Sequence, residues 1–380
     1  MSKEGLEGAD LRIAIVSPNK YKYSETFIHA HINELPGEIR VLHSGYLPRY
    51  YSWDLEGEDH DLHWHSWWEM VTQRFGEENE ARLEKGIKKW LQKRKIQVVL
   101  GEYGPSGVAM ADICADLGIP LVVHFHGYDA YREDILGEQG RDYPRMFTIA
   151  SALVVVSEDM RRQLLSLGAP PEKVHLIPYG VDPELFRITD SGGNPPSLVA
   201  VGRFTAKKAP DLTIRAFAEV AERFPEARLT LAGEGDLLEA CVSLAEELGL
   251  GSRVRFAGGL SQSEVAELLG GARAFVQHSL RPADGDSEGL PLAVLEAMAS
   301  GLPVVATRHA GIPDAVRHGA EGLLCEEGDV FAMAEHMAQV LEDSAYAARL
   351  GRAGAARIRE HFTREIYLGK LYRLLKDQLP

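Results

Sequence analysis

Two carboxylates, Glu288 and Glu296, flank the start of a short apolar segment that we predict to be a helix. Pro291 suits the first position of such a helix. The peptide N–H groups of Gly289 and Leu290 would then lie at the positive end of the helix dipole, where a diphosphate can bind. Carboxylates accept hydrogen bonds from vicinal hydroxyls, so the segment suits a ligand with both sugar and phosphate. Taken alone, the two glutamates are equally well explained as an acidic helix cap.

A basic loop lies earlier in the chain, directly after the predicted strand 198–201. Arg203 directly follows Gly202 in this loop, and Lys208 lies near its end. Both stand where an anion would bind at the carboxyl end of a strand. Arginine offers a planar fork to phosphate oxygens, and lysine offers a mobile point charge. We expect Lys207 in the same loop to be solvated.

The first half of the chain has its own candidate, His126, at the end of the predicted strand 121–125. A polar group in that position is more often a ligand contact than a core histidine. His124 either supports His126 or is simply buried, and Asp129 is a weaker candidate for the same site. A metal site at the two histidines would need further ligands, which the sequence does not place.

Residues 17–28 follow the first predicted strand and lead into a helix. Ser24 is a good N-cap, with Glu25 and Thr26 in the first turn.

Short β-branched runs alternate with amphipathic stretches along the chain, which is typical of βαβ units. The predicted strands are 13–16, 98–100, 121–125, 153–156, 198–201, 229–231, 254–256, 274–276 and 303–306. The predicted helices are about 80–94, 107–117, 159–168, 211–223, 237–248, 262–270, 291–299 and 331–342, with further helix from 344 to 378.

The stretch 188–196, which contains Gly-Gly and Pro-Pro, interrupts this alternation as a linker would. We therefore predict an α/β fold of two doubly wound, Rossmann-like domains that face each other across a cleft. Residues 1–187 would form the N-terminal domain and 197–361 the C-terminal domain. Residues 362–380 would form a terminal helix that packs back on the N-terminal domain.

The composition of the 380-residue chain fits two soluble domains and limits the function. A net charge of −15 argues against nucleic acid as a partner. Cys114, Cys241 and Cys325 are too far apart for a metal or disulfide framework, which indicates a reducing compartment. Because no secretory or membrane-spanning run is present, we predict a cytoplasmic protein.

As a set, the motifs of the second half resemble family 4 of the retaining glycosyltransferases, which have the GT-B fold. The resemblance covers the segment 288–305, Gly311–Asp314, the loop 201–208, and the stretches 231–235 and 254–258. Residues 24–28 resemble a subgroup that acts in exopolysaccharide assembly. Ala209 stands where the family usually has glycine.

The resemblance implies a role for each candidate residue. Arg203 and Lys208 would neutralise the donor diphosphate, while Glu288 would bind the sugar hydroxyls. Glu296 would bind the ribose, and His126 would touch the donor sugar. The remaining donor-binding residues would be Gly202, Gly233, Arg255, Phe256, Ser279, Gly289, Leu290 and Pro291, and the acceptor side would have Ser24, Glu25, Thr26 and Asp129.

Asp284-Gly-Asp286 resembles the metal-binding motif of the other glycosyltransferase fold. Since Arg203 and Lys208 already neutralise a diphosphate, we predict a solvated or acceptor-side loop here and no metal cofactor.

The predicted reaction moves a sugar, with retention, from a UDP- or GDP-sugar to a sugar or lipid-linked acceptor. The basic stretch 81–95 would either dock on the inner face of an anionic membrane or form an ordinary solvated helix. Aromatic residues at 49–53 and 60–68 could stack on carbohydrate or pack together. The alternatives are a GT-B sugar phosphorylase or epimerase, and a sugar-nucleotide-binding protein without activity.

Overall fold

The computed structural model describes residues 11–20, 25–54, 57–62 and 77–380. These residues form two compact units. The first unit contains the described residues up to Val156, Arg161–Ile177 and Leu368–Pro380, and the second contains Ser157–Met160 and Pro178–Tyr367. The end of the chain therefore groups with the first unit. The domain boundaries and the linker expected from the sequence stay predictions.

The first unit is built on an eight-stranded sheet. Its strands are β1 (Arg12–Val16), β2 (Glu38–His43), β3 (Tyr50–Ser52), β4 (His60–Asp61), β5 (Val98–Glu102), β6 (Leu121–His124), β7 (Ala152–Val155) and β8 (Val174–Leu176). The strand order is β4-β3-β2-β1-β5-β6-β7-β8, in which the β2–β3 and β3–β4 pairs are antiparallel and the other pairs are parallel. The direction of winding reverses between β1 and β5, so ligands are expected where these two strands end.

Seven helices accompany this sheet in the described part of the chain. They are α1 (Thr26–Glu34), α2 (Glu77–Lys93), α3 (Gly104–Leu117), α4 (Tyr128–Tyr131), α5 (Glu133–Glu138), α6 (Tyr143–Ile149) and α7 (Glu158–Ser166). The central strands β5, β6 and β7 are buried along their whole length, as expected for parallel strands covered on both faces.

The second unit has a six-stranded, fully parallel sheet. Its strands are β9 (Ser197–Val201), β10 (Arg228–Ala232), β11 (Val254–Gly258), β12 (Ala274–Gln277), β13 (Val304–Thr307) and β14 (Gly322–Cys325). The order β11-β10-β9-β12-β13-β14 is that of a Rossmann fold, with its switch point between β9 and β12.

Helices α8 (Pro210–Arg223) and α13 (Val330–Glu342) pack their apolar faces into the core of this unit. The others are α9 (Leu238–Glu247), α10 (Gln262–Gly270), α11 (Leu292–Ala299), α12 (Ile312–Ala315) and α14 (Ser344–His361). Helix α15 (Arg364–Asp377) begins in this unit, and its residues from Leu368 onward group with the first unit. Every predicted strand and helix is present with small shifts at its ends, so the doubly wound α/β prediction is confirmed. Among the described helices, none combines the length and apolarity that crossing a membrane requires.

Candidate active site

A cleft opens at the switch point of the second unit, where β9, β10 and β12 end. It includes the predicted anion-binding residues Arg203 and Lys208, together with Gly202. The other lining residues are Ala200, Val201, Phe204, Pro210, Thr213, Leu231, Ala232 and Gln277. The cleft therefore lies where the doubly wound topology predicts a ligand.

The three basic residues of the loop after β9 have different surroundings. Arg203 is exposed, whereas Lys207 is only 7% exposed. The Lys207 ammonium lies 3.1 Å from the Asp286 carboxylate and donates to the Ser287 carbonyl at 3.3 Å. The prediction that Lys207 is solvated was wrong, because the tight turn 206–208 directs the two lysines to different partners.

Lys208 forms an ion pair with Glu288, with 3.0 Å between Nζ and Oε1. The side chains are 16% and 10% exposed, respectively. Burial opposes ionisation of Glu288, but Lys208 and Lys207 outweigh it and lower the pKa of Glu288 to about 2. Burial likewise lowers the pKa of Lys208, against the attraction of Glu288. Glu288 is therefore a carboxylate at neutral pH, and a diphosphate would compete with it for the same ammonium.

The two aspartates of the Asp-Gly-Asp sequence do not behave as a metal-binding pair. Asp284 is exposed, and its carboxylate accepts the N–H of Asp286 at 3.1 Å. The Asp286 carboxylate forms an ion pair with the Lys207 ammonium. Asp284 is thus solvated, as one of the two predicted alternatives has it, whereas Asp286 is paired with Lys207 and is not solvated. The acceptor-side alternative for this loop stays a prediction.

Glu296 lies in the second turn of α11, on the same segment as Glu288. Pro291 is the N-cap of this helix, one position earlier than predicted. Glu296 is 8% exposed, and burial raises its pKa to about 7, against the opposing effects of Arg364 and Lys208. The two carboxylates around the helix start therefore have opposite electrostatic environments, although their positions in the sequence look alike.

His309 contacts the residues just before α11 through one ring nitrogen. Its Nε2 lies 3.2 Å from the backbone N of Glu288 and 3.3 Å from Ser287 Oγ. Its Nδ1 lies 2.6 Å from the Glu327 carboxylate. The N–H of Gly311 donates to the Gly289 carbonyl at 3.1 Å. The segment 309–311 therefore holds the segment 287–289.

Gly233 brings the end of β10 against the loop that carries Arg203. Its φ is +138°, and a Cβ added there would lie 2.0 Å from the Gly202 carbonyl oxygen. Its N–H donates to the Gly258 carbonyl at 2.7 Å. The predicted donor residues Gly202 and Gly233 therefore meet as backbone against backbone, a contact that only glycine permits.

Gly233→Ala is expected to destabilise the protein by at least about 3 kcal/mol, because a clash with backbone adds to the strain of positive φ. Gly258→Ala is the matched control, since Gly258 has φ +70° and no atom within 4 Å of an added Cβ. It should lose only about 1–2 kcal/mol. Urea unfolding measures both variants. Equal losses would show that the contact with Gly202 has no particular importance.

The other predicted donor residues differ in how accessible they are. Ser279 is fully buried, and its N–H and carbonyl are both bonded to the Thr307 hydroxyl. Leu290 is buried, whereas Arg255 is exposed on the edge strand β11 and Phe256 is partly buried beside it. Their contacts with a donor stay predictions.

The first unit contains a buried carboxylate, Glu102, that two histidines share. Its oxygens lie 2.7 Å from His31 Nδ1 and 2.8 Å from His126 Nε2. Burial opposes ionisation, but the histidines outweigh it and hold the pKa of Glu102 well below its ordinary value. Glu102 ends β5, so this group lies at the switch point of the first sheet.

Ring contacts fix His126 further. The ring of His124 stacks on it at 4.3 Å with an interplanar angle of 12°, and Phe27 stacks at 4.4 Å. Tyr103 meets it edge-on at 4.7 Å. His126 is 9% exposed, so its orientation is fixed and only a small part of the residue can meet a ligand.

Glu102, His124 and His126 are close enough to be considered as metal ligands. However, His31 and His126 already occupy the two Glu102 oxygens. The two stacked rings are nearly parallel, so their in-plane lone pairs do not converge on one point. The geometry therefore suits a hydrogen-bonded group around one carboxylate better than a metal site.

Asp129 does not present its carboxylate to an acceptor, contrary to the prediction. It is fully buried and accepts the backbone N–H groups of Gly104, His126 and Gly127 at 2.9–3.0 Å. Burial raises its pKa above the ordinary value even so. Asp129 holds the turn after His126 against the start of α3.

Glu25 is the N-cap of α1, which begins at Thr26, so the prediction of Ser24 as N-cap was wrong. Ser24 itself lies outside the described residues. The Glu25 carboxylate accepts hydrogen bonds from the Tyr103 hydroxyl at 2.9 Å and from Asn19 at 3.2 Å. Tyr103 has φ +73°, a strained value that turns its side chain toward Glu25.

The aromatic cluster predicted at 60–68 lies mostly outside the described residues. Of the neighbouring group at 49–53, Trp53 is partly exposed. Arg40 and Arg94 each lie 4.5 Å from its ring centroid. Two guanidinium groups therefore occupy faces that a sugar would need.

The sequence analysis missed several residues of these groups, namely His31, Glu102, His309 and Glu327. Two of them had a visible signal. Glu102 ends a buried strand, as His126 nearly does, and His309 follows β13 by two residues. The signal in both cases is a polar residue at or just after the carboxyl end of a parallel strand.

Two family models match the chain in succession. Residues 181–357 match the model described as "Glycosyl transferases group 1", and residues 74–185 match "Glycosyltransferase Family 4". The fold and the site define a nucleotide-sugar-dependent glycosyltransferase of polysaccharide or glycolipid synthesis. The chain belongs to glycosyltransferase family 4, whose enzymes retain the anomeric configuration and need no metal ion.

Named relatives support this assignment. The amylovoran biosynthesis glycosyltransferase AmsK of Erwinia amylovora is 33% identical, over 73% of this chain and 70% of its own length. A GDP-mannose-dependent alpha-(1-6)-phosphatidylinositol monomannoside mannosyltransferase of Mycolicibacterium smegmatis is 32% identical, over 54% of this chain and 56% of its own length.

Solved structures confirm the GT-B fold. Anabaena HepE, crystallised with UDP and glucose, has a TM-score of 0.75 at 17% identity, covering 97% of this chain and 100% of its own. The lipopolysaccharide outer core galactosyltransferase WaaB has a TM-score of 0.71 at 17% identity, covering 97% of this chain and 100% of its own.

Proposed function

We propose that the cleft of the second unit binds a UDP- or GDP-sugar. Arg203 and Lys208 neutralise the diphosphate, and Glu288 accepts hydrogen bonds from the sugar hydroxyls. Glu296 binds the ribose, while Arg255 and the residues that follow it in β11, up to Gly258, meet the base. The observation that carries this proposal is the buried Lys208–Glu288 ion pair at the start of α11, in a cleft that Arg203 also lines.

The proposed chemistry is a front-face displacement with retention. As the bond to the donor sugar breaks, negative charge grows on the departing diphosphate. Lys208, Arg203 and the N–H groups before α11 stabilise that charge in a preorganised site. The departing phosphate oxygen accepts the proton of the incoming hydroxyl, so no protein carboxylate needs to attack the sugar.

The choice between UDP and GDP rests on the relatives. HepE was crystallised with UDP and with UDP-glucose, whereas the mycobacterial relatives are GDP-mannose-dependent. AmsK acts in amylovoran biosynthesis. We therefore propose a sugar or lipid-linked sugar of exopolysaccharide assembly as the acceptor. His126 remains the proposed contact to the donor sugar, by family resemblance.

Helix α2 limits the proposed contact with a membrane. Its apolar residues Leu83, Ile87, Trp90 and Leu91 are buried in the fold. Its exposed lysines are Lys85, Lys89 and Lys93. Docking of α2 on anionic lipid would therefore be electrostatic and weakened by salt, without apolar insertion.

The three buried, unpaired cysteines agree with the proposed cytoplasmic location.

Thermal unfolding with UDP, GDP, ADP, UDP-glucose and GDP-mannose tests the proposal. We expect the matching nucleoside diphosphate and its sugar to raise the Tm by several degrees at concentrations well above Kd. The other base should raise it less, and EDTA should not abolish the shift. If none of these ligands changes the Tm at millimolar concentration, the proposed donor site is wrong.

Sugar release from the bound donor or transfer to an acceptor then separates an enzyme from a binding protein. A protein that binds the nucleotide sugar without any turnover would contradict the proposed reaction. Phosphate-dependent release of sugar from a disaccharide would instead favour a phosphorylase.

A further inference from the structure

Glu288 lies near the end of a long loop, residues 278–290, that connects β12 to α11. Such a loop has many conformations open to it, so a carboxylate on it needs external support to keep one position. Lys207 and Lys208 hold the loop on one side, through Asp286 and Glu288. His309 and Glu327 hold it on another.

The hydrogen-bond partners of His309 fix the location of its proton. Nδ1 lies 2.6 Å from a Glu327 carboxylate oxygen, which only accepts, so Nδ1 carries the proton. Nε2 faces the backbone N–H of Glu288 at 3.2 Å, which only donates, so Nε2 presents its lone pair. The ring is therefore neutral, and Glu327 selects the tautomer that can accept from Glu288.

Glu327 also reaches the beginning of the same loop. Its second carboxylate oxygen accepts the N–H of Arg281 at 3.0 Å. One carboxylate thus fixes residue 281 directly and residues 287 and 288 through His309. His309 is 1% exposed and Ser287 is fully buried, so water does not compete for the bonds of His309 to residues 287 and 288, whereas the Glu327 side chain is 38% exposed.

We propose that His309 is a positioning residue for donor recognition, and that Glu327 is the residue that orients it. Acceptance of the Glu288 N–H by Nε2 sets the direction in which the Glu288 carboxylate leaves the backbone. The pair thereby places the group that binds the sugar hydroxyls, without touching the donor. The inference rests on the proposed function of Glu288.

Because His309 positions Glu288, it supports the proposed binding of the sugar but not that of the diphosphate or the ribose. Arg203 and Lys208 lie on the loop after β9, and Glu296 lies inside α11, so His309 supports none of them directly. Loss of His309 should therefore weaken binding of the nucleotide sugar more than binding of the nucleoside diphosphate.

The test compares His309→Leu, which removes the acceptor, with His309→Gln, whose Oε1 can take the place of Nε2. Calorimetry measures the affinity for UDP and GDP and for UDP-glucose and GDP-mannose. We expect His309→Leu to lose about 10- to 100-fold in affinity for the nucleotide sugar that the wild type binds. Its affinity for the matching diphosphate should change by less than about threefold, and His309→Gln should recover most of the loss.

His318→Leu is the matched control. His318 Nδ1 also accepts a backbone N–H, from Leu324 at 3.0 Å, but that bond supports β14 and not the loop before α11. This variant should lose stability and keep both affinities. Glu327→Gln, at a partly exposed side chain, provides a second folded variant and should show a smaller loss of the same kind, about 3- to 10-fold.

Wild-type affinity for the nucleotide sugar in folded His309→Leu or Glu327→Gln would overturn the inference. So would an equal loss in His318→Leu. If the wild type bound neither the diphosphates nor their sugars, the proposed function itself would fail, which is a different result from unchanged binding in the variants.

Discussion

Lys208→Met is expected to lower kcat/KM by about three orders of magnitude while the protein stays folded. The methionine keeps the length and apolar stem of the lysine but removes the charge that we propose stabilises the leaving diphosphate. In the empty site it also leaves the Glu288 carboxylate, now paired at 3.0 Å, without its nearest cation. Initial rates with the identified donor, together with circular dichroism, measure both effects.

Lys173→Met is the control for that variant. The Lys173 ammonium donates to the carbonyls of Phe147, Thr148 and Ala150 at 2.6–3.0 Å, at the C-terminal end of α6. Its loss should reduce stability by removing charged hydrogen bonds, with kcat/KM changed by less than about threefold. Near-normal activity of Lys208→Met, or an equal loss in Lys173→Met, would contradict the assigned role of Lys208.

Glu296→Gln is expected to stabilise the protein at pH 8 by about 3 kcal/mol and to leave it nearly unchanged at pH 4.5. Burial raises the pKa of Glu296 from 4.5 to about 7, so the folded state binds this proton more tightly than the unfolded state does. The contribution to stability is fully present below pH 4.5 and is lost as the pH rises through 7. Glutamine carries no charge and avoids that loss.

Glu288→Gln provides the contrast on the same segment. The pKa of Glu288 is lowered to about 2, so its ionised form contributes stability above pH 4.5, and that contribution is lost as the pH falls through 2. This variant should be less stable than the wild type at pH 8, by about 3 kcal/mol if the partner charge stays buried. Urea unfolding at pH 4.5 and pH 8 measures both variants. Changes of the same sign in both would contradict the opposite environments of the two carboxylates.

The predicted part of the fold consists of elements with a strong local pattern. The buried runs that became β5, β6, β12 and β13 are free of polar side chains except at their last residues, so burial on both faces was visible in the sequence. Among the missed strands, β2, β3 and β4 lack that pattern. Strand β2 is exposed or partly exposed over its first half, and β3 and β4 have only three and two residues, held by pairing with a neighbour. Strand β14 was missed although all four of its residues are buried.

The candidate site likewise has residues that the sequence predicted and contacts that it could not predict. The sequence located Lys208 and Glu288, because both stand beside predicted element ends. It could not decide which lysine pairs with which carboxylate, since Lys207 and Lys208 are adjacent and chemically identical. The turn geometry decides that. It also could not place Glu102 between His31 and His126, because their spacing in the chain has no relation to their contact in space.

Ala209, directly after the lysine turn, has a left-handed backbone with φ +36° and ψ +55°. Glycine would adopt this conformation at lower energy, but it would also sample many others. The methyl group therefore narrows the range of shapes open to the turn that presents Lys208. Much of the entropy of ordering that turn is lost when the chain folds, and less remains to be lost when a ligand arrives. A small strain in the folded chain thus lowers the entropy that the proposed binding of a diphosphate at Lys208 would still have to remove.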